Sequence, residues 1–455
     1  MKPSIPQGTR DFEAGTLRKR QFILDTIKSV FELYGFEPLE TPAMENLETL
    51  TGKYGDEGDR LIFKIINNGL GNPAKKTEVQ KGFENLLEGK YDKHITERAL
   101  RYDLTIPFAR YVAMNYGKLT MPFKRYQMQP VWRADRPQKG RYREFYQCDA
   151  DVAGSDSLLS DVELAEIYIG VFKKLHIAVD IKVNSRKILS ALAGICGVEN
   201  ITAITVAIDK LDKIGLAKVE EELRANGLNA DQTAIIKNYL LISGTNSEKM
   251  DIAKDLLGSN ESGKKGLEEI NFLLNYLKET NRQPESAVNI DFTLARGLNY
   301  YTGIIYEVKA AGADMGSIGG GGRYDDLTGL FGLSNIPGAG ISFGVDRIFD
   351  VMEELNLFPS EINQSTRVLF MNLGETESRF AFKQMQQLRD AGISCEIFYE
   401  HVKLDKQFKY AAKKNIPFAI IIGSNEIEQQ TCVIKNLLEG KQQAIPLTEL
   451  TSYFN

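Results

Sequence analysis

The chain has 455 residues, 43% of them apolar and 26% charged, with 39 glycines and 14 prolines. This composition excludes a disordered or fibrous protein, and the length predicts about three domains. The apolar runs are too short to cross a bilayer, and the first residues lack the apolar stretch of a signal peptide. The four cysteines lie far apart, which argues against a zinc site and a disulfide framework and indicates the reducing cytoplasm. The net charge of −5 by itself argues against a nucleic-acid partner.

The first segment, residues 1–184, mixes helical and strand patterns. Ile23, Ile27 and Val30 recur at helical spacing with charged residues between them, which predicts an amphipathic helix that ends at a glycine. Residues 36–42 contain two prolines and are predicted to be extended, because a residue before proline is disfavoured in the helical region.

A strongly cationic hairpin follows in the same segment. Residues 123–133 and 143–149 alternate as strands do, and the proline and glycine between them predict a long loop. Residues 118–147 hold eight cations against two anions, a local charge of +6. Arginine suits phosphate because its guanidinium offers two parallel donors, and Phe145 could stack on a base. A solvated cationic hairpin explains the charge equally well. The eight cations are Lys118, Lys124, Arg125, Arg133, Arg136, Lys139, Arg141 and Arg143.

The rest of the chain changes character twice. Residues 185–285 have helical patterns and weak strand signals, which indicate a helical insertion. Strand and glycine signals return over residues 286–360. Residues 366–455 alternate strands with helices, which predicts a small α/β domain. One of its helices carries cations that could contact phosphate, although a solvated helix face is nearly as good an interpretation: Lys403, Lys406, Lys409, Lys413 and Lys414.

Two further motifs have both a structural and a functional interpretation. Tyr300 and Tyr301 are adjacent on a predicted strand, so only one of them can line a given pocket without a bulge. The four glycines of residues 319–322 allow either close approach of a ligand or a bend in a sheet. His94 and the other two histidines are scattered, so no Ser-His-Asp arrangement or metal site is expected. The chemistry therefore depends on positioning and charge stabilisation.

Taken together, these segments resemble the histidyl-tRNA synthetase family of class II aminoacyl-tRNA synthetases over nearly the whole chain. Residues 34–42 look like motif 1 of that class, residues 123–147 like motif 2 and residues 338–347 like motif 3. The signatures that point to histidine, rather than to another amino acid of the same class, are residues 101–105, 296–301 and 321–325.

The resemblance implies a fold, a set of domains and a reaction. The fold is α+β, a class II synthetase antiparallel sheet flanked by helices, with a helical insertion and a C-terminal α/β domain. The catalytic domain spans residues 1–184 and 286–360, the insertion 185–285 and the anticodon-binding domain 366–455. The implied function is a cytoplasmic, homodimeric histidine–tRNA ligase without a membrane partner. It uses L-histidine, ATP with Mg²⁺ and tRNA(His). The alternative is a non-catalytic paralogue that senses histidine as a regulatory subunit.

The resemblance also implies residue roles. Arg296 and Arg133 would be catalytic, because both would stabilise charge on the α-phosphate of ATP. Histidine would bind to Asp103, Leu104, Thr105, Arg133, Gln147, Asp151, Arg296, Tyr300, Tyr301 and Tyr324. ATP would bind to Arg133, Arg141, Arg143, Phe145 and Arg347, and tRNA to Arg136, Gln138 and Lys139.

Overall fold

The computed structural model describes residues 2–198, 201–280, 288–295, 300–363 and 366–454. The chain forms two compact units, Met1–Phe358 and Pro359–Asn455. The helical stretch predicted as an insertion belongs to the first unit. Its treatment as a separate domain, and the four predicted domain boundaries, stay predictions.

Eleven strands are described in the first unit. They are β1 (Glu37–Pro38), β2 (Met44–Asn46), β3 (Lys64–Ile65), β4 (Arg98–Leu100), β5 (Phe123–Trp132), β6 (Glu144–Ala153), β7 (Val179–Ser185), β8 (Val288–Ile290), β9 (Ile304–Ala310), β10 (Gly319–Tyr324) and β11 (Gly338–Gly344).

Eight of these strands form the central sheet, in the order β1-β5-β6-β11-β10-β9-β7-β8. The six inner strands pair antiparallel, and β1 and β8 join the two edges in parallel. The remaining three strands form a small antiparallel sheet, β2-β4-β3. The predicted antiparallel sheet flanked by helices is confirmed.

The predicted cationic hairpin is the pair of β5 and β6. Phe123 lies opposite Ala153 and Trp132 lies opposite Glu144, so the long loop runs from residue 133 to residue 143. The strand β6 extends four residues beyond the predicted end because its last residues continue to pair with β11.

The described helices of the first unit flank the central sheet, and along the chain they come before its strands, between them or after them. The predicted amphipathic helix is confirmed as α1, where Ile23, Ile27 and Val30 are buried. None of the helices that the structure describes is both long and apolar enough to span a membrane. The helices are α1 (Ala14–Leu33), α2 (Leu47–Leu50), α3 (Gly55–Arg60), α4 (Lys76–Leu87), α5 (Thr105–Asn115), α6 (Leu159–Lys174), α7 (Arg186–Ile195), α8 (Ile201–Asp209), α9 (Leu211–Ile214), α10 (Leu216–Ala225), α11 (Ala230–Leu240), α12 (Asn246–Leu257), α13 (Glu261–Glu279) and α14 (Val345–Glu354).

The helices α7 to α13 interrupt the sheet in sequence but not in space. The strand before them, β7, pairs with β8 and β9, which both come after them. The central sheet is therefore completed by strands from both sides of the helical stretch.

The second unit alternates strands and helices, as predicted, and forms a five-stranded sheet in the order β13-β12-β14-β15-β16. The first three strands in this order pair in parallel with one another. The fourth pairs antiparallel with the third, and the fifth pairs antiparallel with the fourth. The strand over residues 442–446 and the helices over 424–429 and 450–454 were not predicted, and in that strand only Ile445 is buried. The elements are β12 (Val368–Phe370), α15 (Glu375–Asp390), β13 (Cys395–Ile397), α16 (Leu404–Lys413), β14 (Phe418–Ile421), α17 (Ser424–Gln429), β15 (Thr431–Asn436), β16 (Gln442–Pro446) and α18 (Leu450–Phe454).

Candidate active site

A cavity of about 230 Å³ opens on the central sheet, beside the loop of the hairpin. Its walls come from β6, β10, β11, the start of α14 and the hairpin loop. The lining residues are Arg133, Asp135, Gly140, Arg141, Tyr142, Phe145, Gln147, Tyr301, Ser317, Ile318, Gly319, Gly320, Ser342, Gly344, Asp346 and Arg347. The glycines of β10 belong to a regular strand in the sheet rather than to a bend, and two of them line the cavity.

Three arginines converge on this cavity. Arg347 donates from Nε to the carbonyl of Gly140 (2.7 Å) and from Nη1 to the carbonyl of Ser317 (2.6 Å). Burial and the neighbouring charges of Arg141 and Arg133 lower the pKa of Arg347. Clustered cations repel each other unless an anion lies between them. The arrangement therefore suits an anionic ligand such as a chain of phosphates.

Arg133 is held where the cavity meets the interior. Its Nε donates to the carbonyl of Tyr102 (3.1 Å), and its guanidinium carbon lies 4.3 Å from the Tyr102 ring centre and 5.2 Å from that of Phe145. Contacts with a carbonyl and two rings fix the side chain while its other nitrogens stay available to a ligand.

A buried carboxylate supports the arginine side of the cavity from behind. Asp346 accepts hydrogen bonds from the side chains of Arg10 and Arg20 and from the backbone N–H of Tyr146. Because Asp346 directly precedes Arg347 at the start of α14, these bonds fix the helix that carries the arginine.

Behind the cavity lies a buried acidic pocket, which we define by Asp103, Asp149 and Asp151. Each of the three is 2% exposed. Arg125, fully buried on β5, has its Nη2 2.9 Å from Oδ2 of Asp151, and Tyr324 donates a hydrogen bond to Oδ1 of the same carboxylate. A Cβ atom at Gly340 would lie 2.0 Å from Asp151 Oδ1, so only glycine leaves room for this carboxylate.

Burial raises the pKa of each of the three carboxyls. The pKa of Asp149 rises to about 7 because burial and the charge of Asp151 outweigh the attraction of Arg125. Burial also raises the pKa of Asp151, although the charge of Arg125 opposes the shift. Burial raises the pKa of Asp103 as well, although the hydrogen bond from the Ile106 N–H opposes it.

The tyrosines close the acidic pocket. The rings of Tyr300 and Tyr301 are 4.9 Å apart, and Tyr324 lies 6.1 Å from Tyr300. The prediction that the tyrosine pair lies on a strand is wrong, because the strand starts only at Ile304 and Tyr301 and Thr302 belong to no regular element. Both tyrosines can therefore face the same region, and Tyr301 lines the cavity.

The structure brings most of the predicted site residues into these two neighbouring regions. Leu104 accepts a hydrogen bond from Arg125 through its carbonyl (3.2 Å), and Thr105 bonds to Tyr300. The predicted residues that line the cavity are Arg133, Arg141, Phe145, Gln147, Tyr301 and Arg347. Those in or around the acidic pocket are Asp103, Leu104, Thr105, Asp151, Tyr300 and Tyr324.

Other predicted residues lie elsewhere. Arg143 does not line the cavity, and its side chain donates to the carbonyls of Asp135 (3.1 Å) and Gln7 (3.5 Å). Arg136, Gln138 and Lys139 are exposed on the hairpin loop. Arg296 lies outside the described residues, so its predicted role stays a prediction.

Several residues of the site were not predicted as site residues, among them Arg125, Asp149, Ser342 and Asp346. The signal for Asp149 was present, since it alternates with Gln147 and Asp151 and therefore shares their face of β6. Arg125 lies opposite Asp151 in the predicted hairpin, whereas Ser342 and Asp346 depend on how distant segments pack, which alternation along one strand does not reveal.

Comparisons with known proteins agree along the whole chain. A family model described as histidyl-tRNA synthetase matches residues 91–348, and one described as an anticodon-binding domain matches residues 367–455. The histidine–tRNA ligase of Bacteroides fragilis strain YCH46 is 52% identical over 99% of this chain and 98% of its own length. That of Flavobacterium johnsoniae is 49% identical over 98% of this chain and 97% of its own length. The crystal structure of histidyl-tRNA synthetase from Nostoc sp. PCC 7120 is 33% identical, with a TM-score of 0.82 over 100% of this chain and 99% of that one.

Proposed function

The chain belongs to the histidyl-tRNA synthetase family, and on that premise we propose how its residues perform the reaction of a histidine–tRNA ligase. Such an enzyme activates histidine with ATP, releases pyrophosphate and transfers the amino acid to tRNA. The observation that carries the assignment is the direct contact of a cationic cavity with a buried acidic pocket. ATP and the carboxylate of the amino acid are anionic, whereas the ammonium group of the amino acid is cationic.

ATP occupies the cavity in this proposal. Phe145 stacks on adenine, while Arg141 and Arg347 bind the phosphates that leave as pyrophosphate. Arg133 lies between the cavity and the acidic pocket, where it binds both the α-phosphate and the carboxylate of histidine. The carboxylate oxygen attacks the α-phosphorus, and the arginine stabilises the charge that grows there.

Histidine occupies the acidic pocket. Asp103, with the carbonyl of Leu104 and the hydroxyl of Thr105 nearby, accepts hydrogen bonds from the α-ammonium group. Asp103 suits this task because its Oδ2 is buried without a hydrogen-bond partner in the described part of the chain. Asp151 and Gln147 face the imidazole.

The pocket has aromatic walls that exclude water from the amino acid. We assign them to Tyr300, Tyr301 and Tyr324. Arg296 keeps the role proposed from its motif, the stabilisation of the α-phosphate. Arg143 keeps a proposed part in ATP binding, but through the hairpin loop and not through a phosphate contact, since its side chain donates to the carbonyls of Asp135 and Gln7.

Mg²⁺ fits this cavity as an ion that enters with ATP. Two carboxylates of the described lining, Asp135 and Asp346, are hard oxygen ligands of the kind Mg²⁺ prefers. Asp346 is already bonded to two arginines, which leaves Asp135 to face the ion. Mg²⁺ would neutralise phosphate charge during the first step.

The tRNA partner is proposed to contact both units. Arg136, Gln138 and Lys139 project from the hairpin loop toward the acceptor end. In the second unit, Tyr399 is 89% exposed next to the cationic helix α16, so an unpaired base can stack on the tyrosine while the lysines contact phosphate. We further propose tRNA(His) as the substrate, a homodimer as the assembly and the cytoplasm as the location.

The regulatory-subunit alternative is not favoured. The relatives named as histidine–tRNA ligases match the chain from end to end, including the C-terminal unit that the anticodon-binding model covers.

Histidine-dependent exchange of pyrophosphate into ATP tests the proposed function. The purified chain with Mg²⁺ is expected to catalyse exchange with histidine and not with a panel of other amino acids. It is then expected to charge tRNA(His). No exchange with histidine by folded protein would contradict the assignment, and histidine binding without exchange would support the regulatory alternative.

A further inference from the structure

The strand β6 carries three polar side chains at alternate positions of one face: Gln147, Asp149 and Asp151. Side chains at such positions point to the same side of a sheet. The proposed function uses the first and the third of them and leaves Asp149 unassigned. Across the sheet, Asp149 lies opposite Gln127 of β5 and Ser342 of β11.

Asp149 is connected to the cavity through one shared partner. Gln147 donates from Nε2 to the hydroxyl oxygen of Ser342 (2.9 Å), and that hydroxyl in turn donates to the Asp149 carboxylate. Both Gln147 and Ser342 line the cavity, together with Tyr301. Asp149 therefore lies directly behind the point where the cavity meets the acidic pocket.

One oxygen of Asp149 has no hydrogen-bond partner among the residues that the structure describes. The residue is 2% exposed, and its Oδ1 forms no hydrogen bond within the described part of the chain. Buried polar atoms are nearly always hydrogen-bonded, because an unpaired one costs about 1–3 kcal/mol. A carboxylate oxygen left in this state next to a ligand cavity indicates a donor that arrives with the ligand.

The charges of the pocket point the same way. Among the described residues, Arg125 is the cation paired with Asp151, the buried Arg101 also acts on Asp149, and Arg133 acts on Asp103 from the side of the cavity, so three carboxyl groups share these cations. The α-ammonium group of histidine brings one positive charge to this site. A protonated imidazole brings a second positive charge and a second N–H donor.

We propose that Asp149 is a specificity-determining residue that binds the imidazole of histidine through a proton held between the ring and this carboxyl group, so that histidine binding takes up a proton. The inference rests on the proposed function, since it assigns a further residue to the same amino-acid site. Asp151 accepts one ring N–H. The other ring nitrogen and Asp149 share the added proton, which comes from the solvent, and no other bond changes.

The electrostatics around Asp149 agree with such a proton. Burial and two carboxylates raise its pKa to about 7, against the attraction of Arg125. The titratable and charged groups that act on it come from β5, β6, α6, the segment before α5 and the segment before β9. They are Arg125, Cys148, Asp151, Tyr168, Arg101, Asp103 and Tyr301.

Calorimetry of L-histidine binding tests the proposal directly. Titrations at pH 7.5 in phosphate and in Tris, which differ in ionisation enthalpy, give the number of protons taken up. We expect about 0.5–1 proton per histidine for the unmodified chain, because free imidazole is mostly neutral at this pH. Binding without proton uptake would overturn the proposal. This measurement needs no variant, so it holds even if a substitution prevents folding.

Asp149→Asn then assigns the proton to this residue. We expect proton uptake to fall below about 0.2, and the KM for histidine in pyrophosphate exchange to rise about tenfold at pH 7 with kcat nearly unchanged. The KM of the unmodified chain should rise with pH between 7 and 9, and that of the variant should stay flat. A residue that only supported the fold would not change the proton count, so unchanged uptake in a folded variant would overturn the role of Asp149.

Asp156→Asn is the matched control, since Asp156 is exposed beyond the end of β6. It should leave proton uptake and KM unchanged. Failure of the proposed function itself has a different outcome: the unmodified chain would show no exchange with histidine at any pH.

Discussion

The cationic cavity and the acidic pocket are neighbours on one sheet, but their charged side chains differ in exposure and in hydrogen bonding. Arg347 in the cavity has its donors bonded to backbone carbonyls, and it remains half-buried and accessible. Asp103 and Asp149 in the pocket are sealed from water, and each has an oxygen without a hydrogen-bond partner in the described chain. The cavity thus lacks an anion between its arginines, whose side chains are already held by hydrogen bonds, whereas the acidic pocket lacks both positive charge and hydrogen-bond donors.

Arg125→Met removes the cation of the acidic pocket. Loss of one partner of a buried ion pair typically costs about 3–5 kcal/mol, and we expect a destabilisation of that size. Asp149 has a raised pKa in the folded state, so the folded chain holds more protons than the unfolded chain between about pH 4 and 7, and stability falls as pH rises. Without Arg125 this pKa rises further, and the loss should be larger at pH 8 than at pH 5.5. Urea denaturation at both pH values measures the free energy of unfolding of the variant and of the unmodified chain.

The control for this variant is Arg379→Met, because Arg379 is 83% exposed in its side chain and forms only a surface ion pair with Glu375 in the described chain. It should change stability by less than about 0.5 kcal/mol. An equal loss at both pH values in Arg125→Met would contradict the proposed charge balance of the pocket.

Arg133→Gln affects the point where the two regions meet. We expect kcat/KM for adenylate formation to fall about 10²–10³-fold, the usual cost of one preorganised donor to transition-state charge. Arg143→Gln is the comparison, since its side chain points to Asp135 and Gln7 instead of the cavity. Pyrophosphate exchange measures both. Equal losses would show that Arg143 also contacts the phosphates.

Gly340→Ala fills the space that Asp151 uses. The added Cβ would lie 2.0 Å from the carboxylate oxygen, so Asp151 must move. Overpacking of this kind costs about 1–3 kcal/mol, and we expect the KM for histidine to rise about tenfold while the KM for ATP changes little. Gly117→Ala, at a glycine with no atom within 4 Å of the added Cβ, should change neither value. Equal increases in both KM values would contradict the separation of the two regions.

Lys139→Ala changes the outer surface of the hairpin loop. The lysine is 68% exposed in its side chain and paired with Glu354 at 2.7 Å. Pyrophosphate exchange should stay within about twofold, and the slope of tRNA affinity against salt should fall by about 0.7–0.9. Lys90→Ala is the matched control, because Lys90 is equally exposed and also paired at 2.7 Å, with Glu88. The same change of slope in both variants would argue against a tRNA contact at Lys139.

Much of this fold was predictable because its signals are local. The helical spacing of Ile23, Ile27 and Val30 and the alternation along β5 and β6 arise from the periods of helix and strand. The strand β16 was missed because its five residues do not alternate between apolar and polar and only Ile445 is buried, so that pairing with β15 defines the strand.

The site was predictable where a motif carries it and not where distant pairing does. Arg133 and Arg347 were found in recognisable motifs. Ser342 enters the site because β11 happens to pair with β6 in a register that places it opposite Asp149. Tyr300 and Tyr301 were predicted to lie on a strand, but β9 begins only at Ile304 and includes neither of them.

The pairing of β6 with β11 has a consequence for synthesis of the protein in the cell. Gly338 pairs with Ala153, and about 185 residues must be translated between them. At roughly 5–20 residues per second, one edge of β6 waits roughly 10–40 s for its partner on the ribosome. During that time its backbone groups can pair with another nascent chain. This chain should therefore depend on ribosome-associated chaperones more than a protein of the same length built from local contacts.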